Sequence, residues 1–306
     1  MTINSSTLTP RIAIIGRKNA WSTEILSEAL ADKSASGDIV ELEEISYDLK
    51  NNEVLHPNLD LSSYDAFIIK KMGNEHNANL LDQLALLELL EQQGTMFVSS
   101  PLKLKLVMSR LSCTNRLHQY GLPMPPTFIG SNIDDALIWI QNHGPTVLKP
   151  LYSTKAEGMV VLDDKINARK VLDEFLGKGE KIIYLQQKLN LTGSDYALVF
   201  MGSQYIGAYS RVSDGTEWHT TTKDGRRYEA FNPGQDLIDL GQKANNAFNL
   251  DFLSVDIAIS EELGPVLFEV SAFGAYKGMK EGCGIDVANM VADYTLSKVK
   301  REANET

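Results

Sequence analysis

Short apolar runs and longer amphipathic segments alternate through the first hundred residues. Runs rich in β-branched and aromatic residues predict strands at 11–16, 38–45, 64–72 and 96–100. Helical periodicity predicts helices at 21–32 and 77–94, the second of them ending at Gly94. Strands that alternate with helices are typical of a parallel sheet with crossover helices, so this unit is predicted to end near Ser100.

The pattern changes after Ser100. Pro101 opens one continuous helix over 101–121, and the proline-rich connector "GLPMPPT" follows it. Strands are predicted at 127–130, 145–151, 158–163, 181–189, 253–260 and 264–271, with a two-stranded hairpin over 195–212. Helices are predicted near 133–143, 166–177, 234–247 and 284–300. The chain is therefore α/β at first and α+β afterwards, with more than one lobe.

Composition narrows the class of protein. The 306 residues are 43% hydrophobic and 23% charged, which suits a soluble globular protein of two or three domains. The net charge of −11 argues against nonspecific binding to nucleic acid or to an anionic membrane. Cys113 and Cys283 are too isolated for a zinc site or a disulfide framework, and residues 1–9 lack signal-peptide character. We therefore expect a protein of the reducing cytoplasm.

A lysine ends the apolar run of "TVLKPLYSTKAEGMVVL" (146–162), and a small, polar segment follows it. Ser153, Thr154 and Gly158 offer backbone N–H groups and small side chains that can wrap anionic oxygens, with Lys149 as a fixed positive charge. The alternative is an ordinary strand end whose lysine reaches water, followed by a hairpin turn. Neither a Walker A sequence nor a G-x-G-x-x-G fingerprint is present.

Two carboxylates are embedded in apolar strands near the end of the chain. Asp256 lies in "SVDIAI" and Glu269 in "LFEVS", and adjacent antiparallel strands would bring both to one face. Ser271 lies two residues after Glu269, and residues two apart in a strand point to the same face of the sheet, so Ser271 would face the same way. A hard divalent cation prefers such oxygen ligands, so the two acids could bind one. The alternative is that both acids pair with arginine or lysine.

Several longer strings give a family resemblance. They are "LSCT", "GLPMPPT", "LKPLYSTKAEGM", "QQKLNLTGSDYALVF", "HTTTKDGRRY" and "FEVSAFGAYKGM". In this order they resemble the ATP-grasp superfamily, within it the RimK-like amino-acid ligases, and most closely the ATP-grasp enzymes of the GAK gene system. The resemblance covers roughly residues 96–300. It implies a Rossmann-like pre-ATP-grasp domain (1–100), a small central lid domain (101–187) and a C-terminal antiparallel-sheet domain (188–306) that holds the metal.

The resemblance also implies roles for residues around a nucleotide. Arg110 would contact the phosphates, and Lys149 would meet the α-phosphate and the adenine edge. Ser153, Thr154 and Gly158 belong to the mobile loop over the phosphates. The adenine hinge would consist of Gln186, Gln187, Lys188 and Leu189, with Gln187 where the family carries Glu.

The same resemblance places Asp195 on the ribose hydroxyls and Arg211, with Lys149, among the catalytic residues beside the reacting phosphate. Asp256 and Glu269 match the Mg²⁺ ligands, and Ser271 stands where the family carries Asn. The segment 219–227 matches a substrate and phosphate loop, in which Lys223 would bind phosphate and Arg226 and Arg227 add positive charge. The alternative for that segment is a solvated charged loop, and the role of His219 stays open.

The implied activity is ATP-dependent ligation of a carboxylate to an amine, with Mg²⁺, or Mn²⁺ as an alternative, and release of ADP and phosphate. The substrates would be small molecules or peptides, and the subunits would form a homodimer or homotetramer by analogy alone. Two other readings stay open: a nucleotide-binding regulatory protein on the same fold, favoured by Ser271 and Gln187, and a kinase that stops at a phosphorylated product.

Overall fold

The computed structural model describes residues 9–73, 77–154, 156–163, 165–212 and 227–305. In these ranges the chain forms three large sheets and one two-stranded hairpin. Among the helices described, none combines the length and apolar character needed to cross a bilayer.

A parallel four-stranded sheet occupies the N-terminal part, in the order β2-β1-β5-β6. The elements are β1 (Arg11–Ile15), α1 (Trp21–Ala31), β2 (Ser36–Val40), the hairpin β3 (Ser46–Asp48) and β4 (Glu53–Leu55), β5 (Ala66–Ile69), α2 (Asn79–Gln92) and β6 (Met96–Val98). Ile12 and Ile14 share a core cluster with Leu30 of α1, while Ile15 shares another with Leu84 of α2. Burial on both faces explains why β1 and β5 read as unbroken apolar runs.

Two short helices follow, α3 (Pro101–Met108) and α4 (Arg110–Gln119). The predicted single helix over 101–121 is therefore wrong at one residue. Ser109 is extended, with φ −101° and ψ 128°, and the next N–H, that of Arg110, donates to the Leu151 carbonyl at 3.0 Å. A tertiary hydrogen bond thus replaces a helical one at the break.

A second, smaller sheet is antiparallel, in the order β7-β10-β8-β9. Its elements are β7 (Thr127–Gly130), α5 (Ile133–His143), β8 (Thr146–Leu148), β9 (Val160–Leu162), α6 (Lys165–Gly177) and β10 (Ile183–Gln187). Ala136, Leu172 and Leu185 belong to a core cluster of their own, separate from the other two. We call this unit the lid.

The third sheet is antiparallel and five-stranded, in the order β13-β12-β11-β14-β15. Its elements are β11 (Asp195–Met201), β12 (Gln204–Val212), β13 (Arg227–Ala230), α7 (Gln235–Phe248), β14 (Phe252–Ser260), β15 (Gly264–Ser271), α8 (Tyr276–Cys283) and α9 (Val287–Glu305). Leu253 and Val255 lie in the same core cluster as Ile15 of the first sheet, so the two sheets share a core.

Most predicted strands and helices are confirmed, with further corrections. The predicted strand 38–45 stops at Val40, because Leu42–Glu44 turn into a 3₁₀ helix. The hairpin of β3 and β4, the short helix α8 and strand β13 are additions that the sequence patterns did not indicate. The domain boundaries at residues 100 and 187 stay predictions, and they fall between the three sheets.

Candidate active site

The break between α3 and α4 places Arg110 between the lid and the third sheet, in contact with both. Its Nε donates to the Pro150 carbonyl at 3.0 Å, and its Nη2 donates to Ser153 Oγ at 3.2 Å. Its Nη1 pairs with Glu269 Oε2 at 3.3 Å. One guanidinium therefore connects the predicted phosphate loop to a predicted metal ligand.

Lys149 lies beside this arginine, directly after β8. Its main-chain N–H donates to the Tyr184 carbonyl, and its Nζ donates to Gln186 and lies 5.1 Å from the centroid of the Phe268 ring. Burial, reinforced by the positive charge of Arg110 and opposed by Glu269, lowers the pKa of Lys149 to about 7. The lysine is therefore enclosed, and among the described residues no carboxylate is in hydrogen-bond contact with its Nζ, so an approaching anion would stabilise its charged form.

The other predicted loop residues form a turn that follows Lys149. Gly158 has φ +71°, a conformation that favours glycine, and Ala156 also has a positive φ of +55°. The carbonyl of Thr154 accepts the N–H of Glu157 at 3.0 Å. Ser153, directly before this turn, contacts Arg110, while the role of the segment as a phosphate clamp stays a prediction.

The hinge after β10 is largely engaged with the protein itself. The N–H of Gln187 donates to the Pro126 carbonyl and that of Lys188 to the Pro145 carbonyl, both at 2.9 Å. The side chain of Gln187 donates to the His143 carbonyl at 3.0 Å, and so pins the end of α5. Within the described part of the chain the N–H of Leu189 has no such main-chain acceptor, which leaves it for a ligand.

The two carboxylates stand opposite each other. Asp256 of β14 is the register partner of Glu269 of β15, and Ser254 is the partner of Ser271. The predicted antiparallel placement of both acids on neighbouring strands is therefore confirmed. Ser271 follows Glu269 by two positions and lies on the same face of the sheet.

Arg211 lies next to this pair, between two acids. Its Nη1 donates to Asp195 Oδ2 and its Nη2 to Asp256 Oδ1, the latter at 3.0 Å. Burial raises the pKa of Asp256 although Arg211 lowers it, and the neighbouring Glu269 raises it further. The expectation that these acids could pair with arginine is thus also met, since Arg211 holds Asp256 and Arg110 holds Glu269.

The donor set fits a hard divalent cation. In the described ranges, no group of three His, Cys, Asp or Glu side chains forms a metal site, so the set depends on two carboxylates and a hydroxyl. Burial is the main cause of the raised pKa of Asp256, and a bound cation would favour its charged form. Asp256, Glu269 and Ser271 together offer the oxygen ligands that Mg²⁺ prefers.

Part of the predicted site lies outside the described residues. These are His219, Lys223 and Arg226 in the basic segment. Arg227 begins β13, where its Nη2 pairs with Glu229 at 2.7 Å on an exposed surface. Its predicted contribution to a phosphate loop stays a prediction.

The sequence reading missed a second buried lysine. Lys70 follows β5, and its Nζ donates to the Phe273 carbonyl at 2.6 Å and lies 4.2 Å from the centroid of the Tyr276 ring. Burial, helped by Lys71, lowers its pKa to about 7. The available signal was the apolar run "AFII" that ends on a lysine, the same pattern that drew attention to Lys149.

A small lid next to an antiparallel sheet that carries paired acids is the architecture of an ATP-grasp ligase. The sequence model of the RimK-like ATP-grasp domain matches residues 108–295. The chain belongs to this family and is an ATP-dependent ligase that forms C–N bonds, with ATP and Mg²⁺ as its cofactors. The predicted fold class is confirmed with it.

Named relatives and solved structures agree with this assignment. A probable alpha-L-glutamate ligase of Shewanella loihica is 26% identical over 97% of this chain and 98% of its own length. The glutamate–LysW ligase ArgX of Sulfolobus acidocaldarius is 23% identical over 84% of this chain and 92% of its own. The ATP-grasp ligase PsnB, solved with a minimal precursor, superposes with a TM-score of 0.74 at 16% identity, covering 95% of this chain and 99% of PsnB, which shows the shared fold.

Proposed function

We propose that this ligase activates a substrate carboxylate as an acyl phosphate, with Mg²⁺-ATP held in the groove between Lys149 and the Asp256–Glu269 pair. The observation that carries this proposal is the position of Arg110, whose guanidinium contacts both Ser153 of the phosphate loop and Glu269. A triphosphate that replaces these contacts would lie between the enclosed lysine and the acids.

The chain's own residues would divide the work as follows. Lys149 and Arg110 would bind phosphate oxygens, and the main chain of Ser153, Thr154 and Gly158 would wrap them. The N–H of Leu189 would contact adenine, while the Gln187 side chain stabilises the hinge from behind. Ser271, with the two carboxylates, would hold Mg²⁺, which supplies positive charge to the phosphates when it is bound.

Arg211 would stabilise the negative charge that develops when the carboxylate oxygen attacks the γ-phosphorus. That step forms a C–O–P linkage and releases ADP. The substrate amine then attacks the acyl carbon, an amide bond forms as the nitrogen gives up a proton to solvent, and inorganic phosphate leaves with the C–O bond electrons. Closure of the loop around Ser153 and Gly158 would exclude water, which otherwise hydrolyses the acyl phosphate.

For the substrates, we propose a peptide or small-molecule carboxylate and an amino-acid amine. Support comes from relatives named as glutamate ligases and from a fold neighbour solved with a precursor peptide. Several other expectations stay predictions. They are Mn²⁺ as a substitute for Mg²⁺, a homodimer or homotetramer, the cytoplasmic location, the absence of nucleic-acid and membrane partners, and the kinship with the GAK system.

The experiment uses hydroxylamine, a small nucleophile that traps an acyl phosphate whatever the natural amine is. Purified protein receives ATP, Mg²⁺, hydroxylamine and a panel of amino acids and peptides in turn. We expect ADP and phosphate release that depends on the acid, together with a hydroxamate. A phosphorylated product that accumulates without free phosphate would instead establish a kinase, and nucleotide binding without turnover on any acid would favour the regulatory reading.

A further inference from the structure

Arg211 is fixed by two acids from two different neighbouring strands. Asp195 of β11 is its register partner, and Asp256 of β14 stands opposite Ala197, two residues further along β11. The guanidinium donates through Nη1 to Asp195 and through Nη2 to Asp256. Arg211, Asp195 and Asp256 are each only about one-sixth exposed, at 17%, 16% and 17%, so water competes little for these bonds.

The two acids differ in what else they are needed for. Under the proposed function, on which this inference rests, Asp256 is a ligand of Mg²⁺ and its carboxylate must turn toward the cation. The hydrogen bond from Arg211 Nη2 then competes with the metal for the same carboxylate. Among the described residues, Arg211 is the only side chain that hydrogen-bonds Asp195, so this bond can persist through the exchange.

The surroundings of Asp195 do not suit a contact with ribose. One of its oxygens, Oδ2, already accepts from Arg211. The other, Oδ1, is buried and has no hydrogen-bond partner among the described residues. A ribose hydroxyl would have to reach an enclosed oxygen, so the ribose role given by the family resemblance has little geometric support.

We propose that Asp195 is the positioning residue for Arg211. Asp195 keeps the guanidinium beside the reacting phosphate after Asp256 has turned to the metal. Because Asp195 also binds the positive charge of Arg211, it weakens the bond between Arg211 and Asp256. Without Asp195, Arg211 would bind Asp256 alone and would resist metal binding.

The test uses Asp195→Asn, which preserves shape and removes the charge. Isothermal titration measures the affinity for ADP without Mg²⁺, and then the affinity for Mg²⁺ at saturating ADP. We expect an ADP affinity within about twofold of wild type, roughly tenfold weaker Mg²⁺ binding, and a kcat at least tenfold lower with KM for ATP little changed. Wild-type Mg²⁺ affinity and kcat in a folded variant would overturn the proposal.

A nucleotide comparison separates the ribose role from the positioning role. ADP and 2′,3′-dideoxy-ADP are titrated into the wild type and into Asp195→Asn. Positioning leaves the ratio of the two affinities unchanged by the substitution. Loss of the preference for ADP in the variant would instead establish that Asp195 binds ribose.

Two further variants complete the design. Asp195→Glu keeps the charge but displaces the carboxylate, so we expect Mg²⁺ affinity within about twofold of wild type and kcat about tenfold lower. An unchanged kcat would count against positioning, even if Asp195→Asn does not fold.

The control variant is Asp293→Asn, which removes an exposed acid paired with Lys33 and should match the wild type in every measurement. If the wild type itself neither binds Mg²⁺-ADP nor turns over, the proposed function fails, whereas normal wild-type behaviour with silent Asp195 variants defeats only this inference.

Discussion

Asp256 and Glu269 are register partners on β14 and β15, and each of them holds one arginine. Asp195 also binds Arg211, so three acids share two arginines here. Under the proposed function, Mg²⁺ would bind Asp256 and Glu269 and the phosphates would bind the arginines, so this cluster would exchange partners with both parts of Mg²⁺-ATP.

The first prediction concerns these two acids. In Asp256→Asn with Glu269→Gln, the cation loses both charged ligands, and we expect ADP release to fall by at least about 10³-fold. One opposite-sign contact near 4 Å is worth about 4 kcal/mol at an effective dielectric of about 20, which corresponds to roughly that factor. A coupled assay of ADP measures the loss.

A matched control lies in the same hairpin. Glu261 is exposed in the turn between β14 and β15, and Glu261→Gln should turn over ATP like the wild type. Unchanged ADP release by the double variant would show that the metal is held elsewhere.

The second prediction concerns proton uptake by Lys149. Its pKa is lowered to about 7 by burial and by Arg110, with Glu269 acting in the opposite direction, so above pH 7 the free protein holds it largely neutral. Bound phosphates favour the charged form and raise this pKa. Nucleotide binding at pH 8 should therefore take up close to one proton, and ADP affinity should weaken as pH rises above 7.

Calorimetry in buffers of different ionisation enthalpy measures that uptake. Lys149→Arg keeps a positive charge that does not titrate, and it should bind ADP with little proton uptake. Equal uptake by the wild type and by Lys149→Arg would assign the proton to another group.

Much of the fold follows from local pattern. Strand β15 has the predicted bounds 264–271, and β7 matches 127–130, because β-branched runs bounded by Gly and Pro are signals within a few residues. The pairing of Asp256 with Glu269 was also accessible, since two apolar strands joined by a short turn make an antiparallel hairpin. These features need only neighbours along the chain.

The remaining features depend on distant contacts. The helical pattern runs unbroken through Ser109, and the break is stabilised by a hydrogen bond from Arg110 to Leu151, which lies 41 residues away by their numbers. The direction of the Gln187 side chain depends on the His143 carbonyl, and the partner of Asp195 depends on a bulge between Val199 and Phe200 that shifts the register of β11 with β12. No local pattern encodes these relationships.

The third prediction concerns stability and Lys70. Its folded pKa of about 7 lies below the ordinary 10.5, because burial and then Lys71 disfavour the charge, while its contacts from the C-terminal part are the Phe273 carbonyl and the Tyr276 ring. Between these two values the unfolded chain binds a proton that the folded chain releases. Its contribution to the free energy of unfolding should therefore rise with pH from about 7 toward 10.5, by up to about 1.4 kcal/mol per pH unit.

Urea unfolding at several pH values between 7.5 and 9 gives that slope. Lys70→Met removes the titrating group and should flatten the slope by about the stated amount. Lys181→Met removes an exposed lysine and should leave the slope of the wild type. Equal slopes in all three proteins would mean that Lys70 stays charged in the folded state.

The fourth prediction compares two helical glycines. A Cβ on Gly278 of α8 would come within 2.3 Å of the Tyr209 ring, and that ring lies 5.5 Å from the Arg211 guanidinium. Gly278→Ala must displace Tyr209, so we expect a loss of about 1–3 kcal/mol in the free energy of unfolding, together with lower turnover because Arg211 is disturbed.

Gly177 of α6 provides the control, because a Cβ there would meet no atom within 4 Å. Alanine at this position should be neutral or should stabilise by up to about 1 kcal/mol. Thermal unfolding and ADP release of both variants provide the measurement, and a Gly278→Ala protein as stable as Gly177→Ala would contradict the tight packing of α8 against β12.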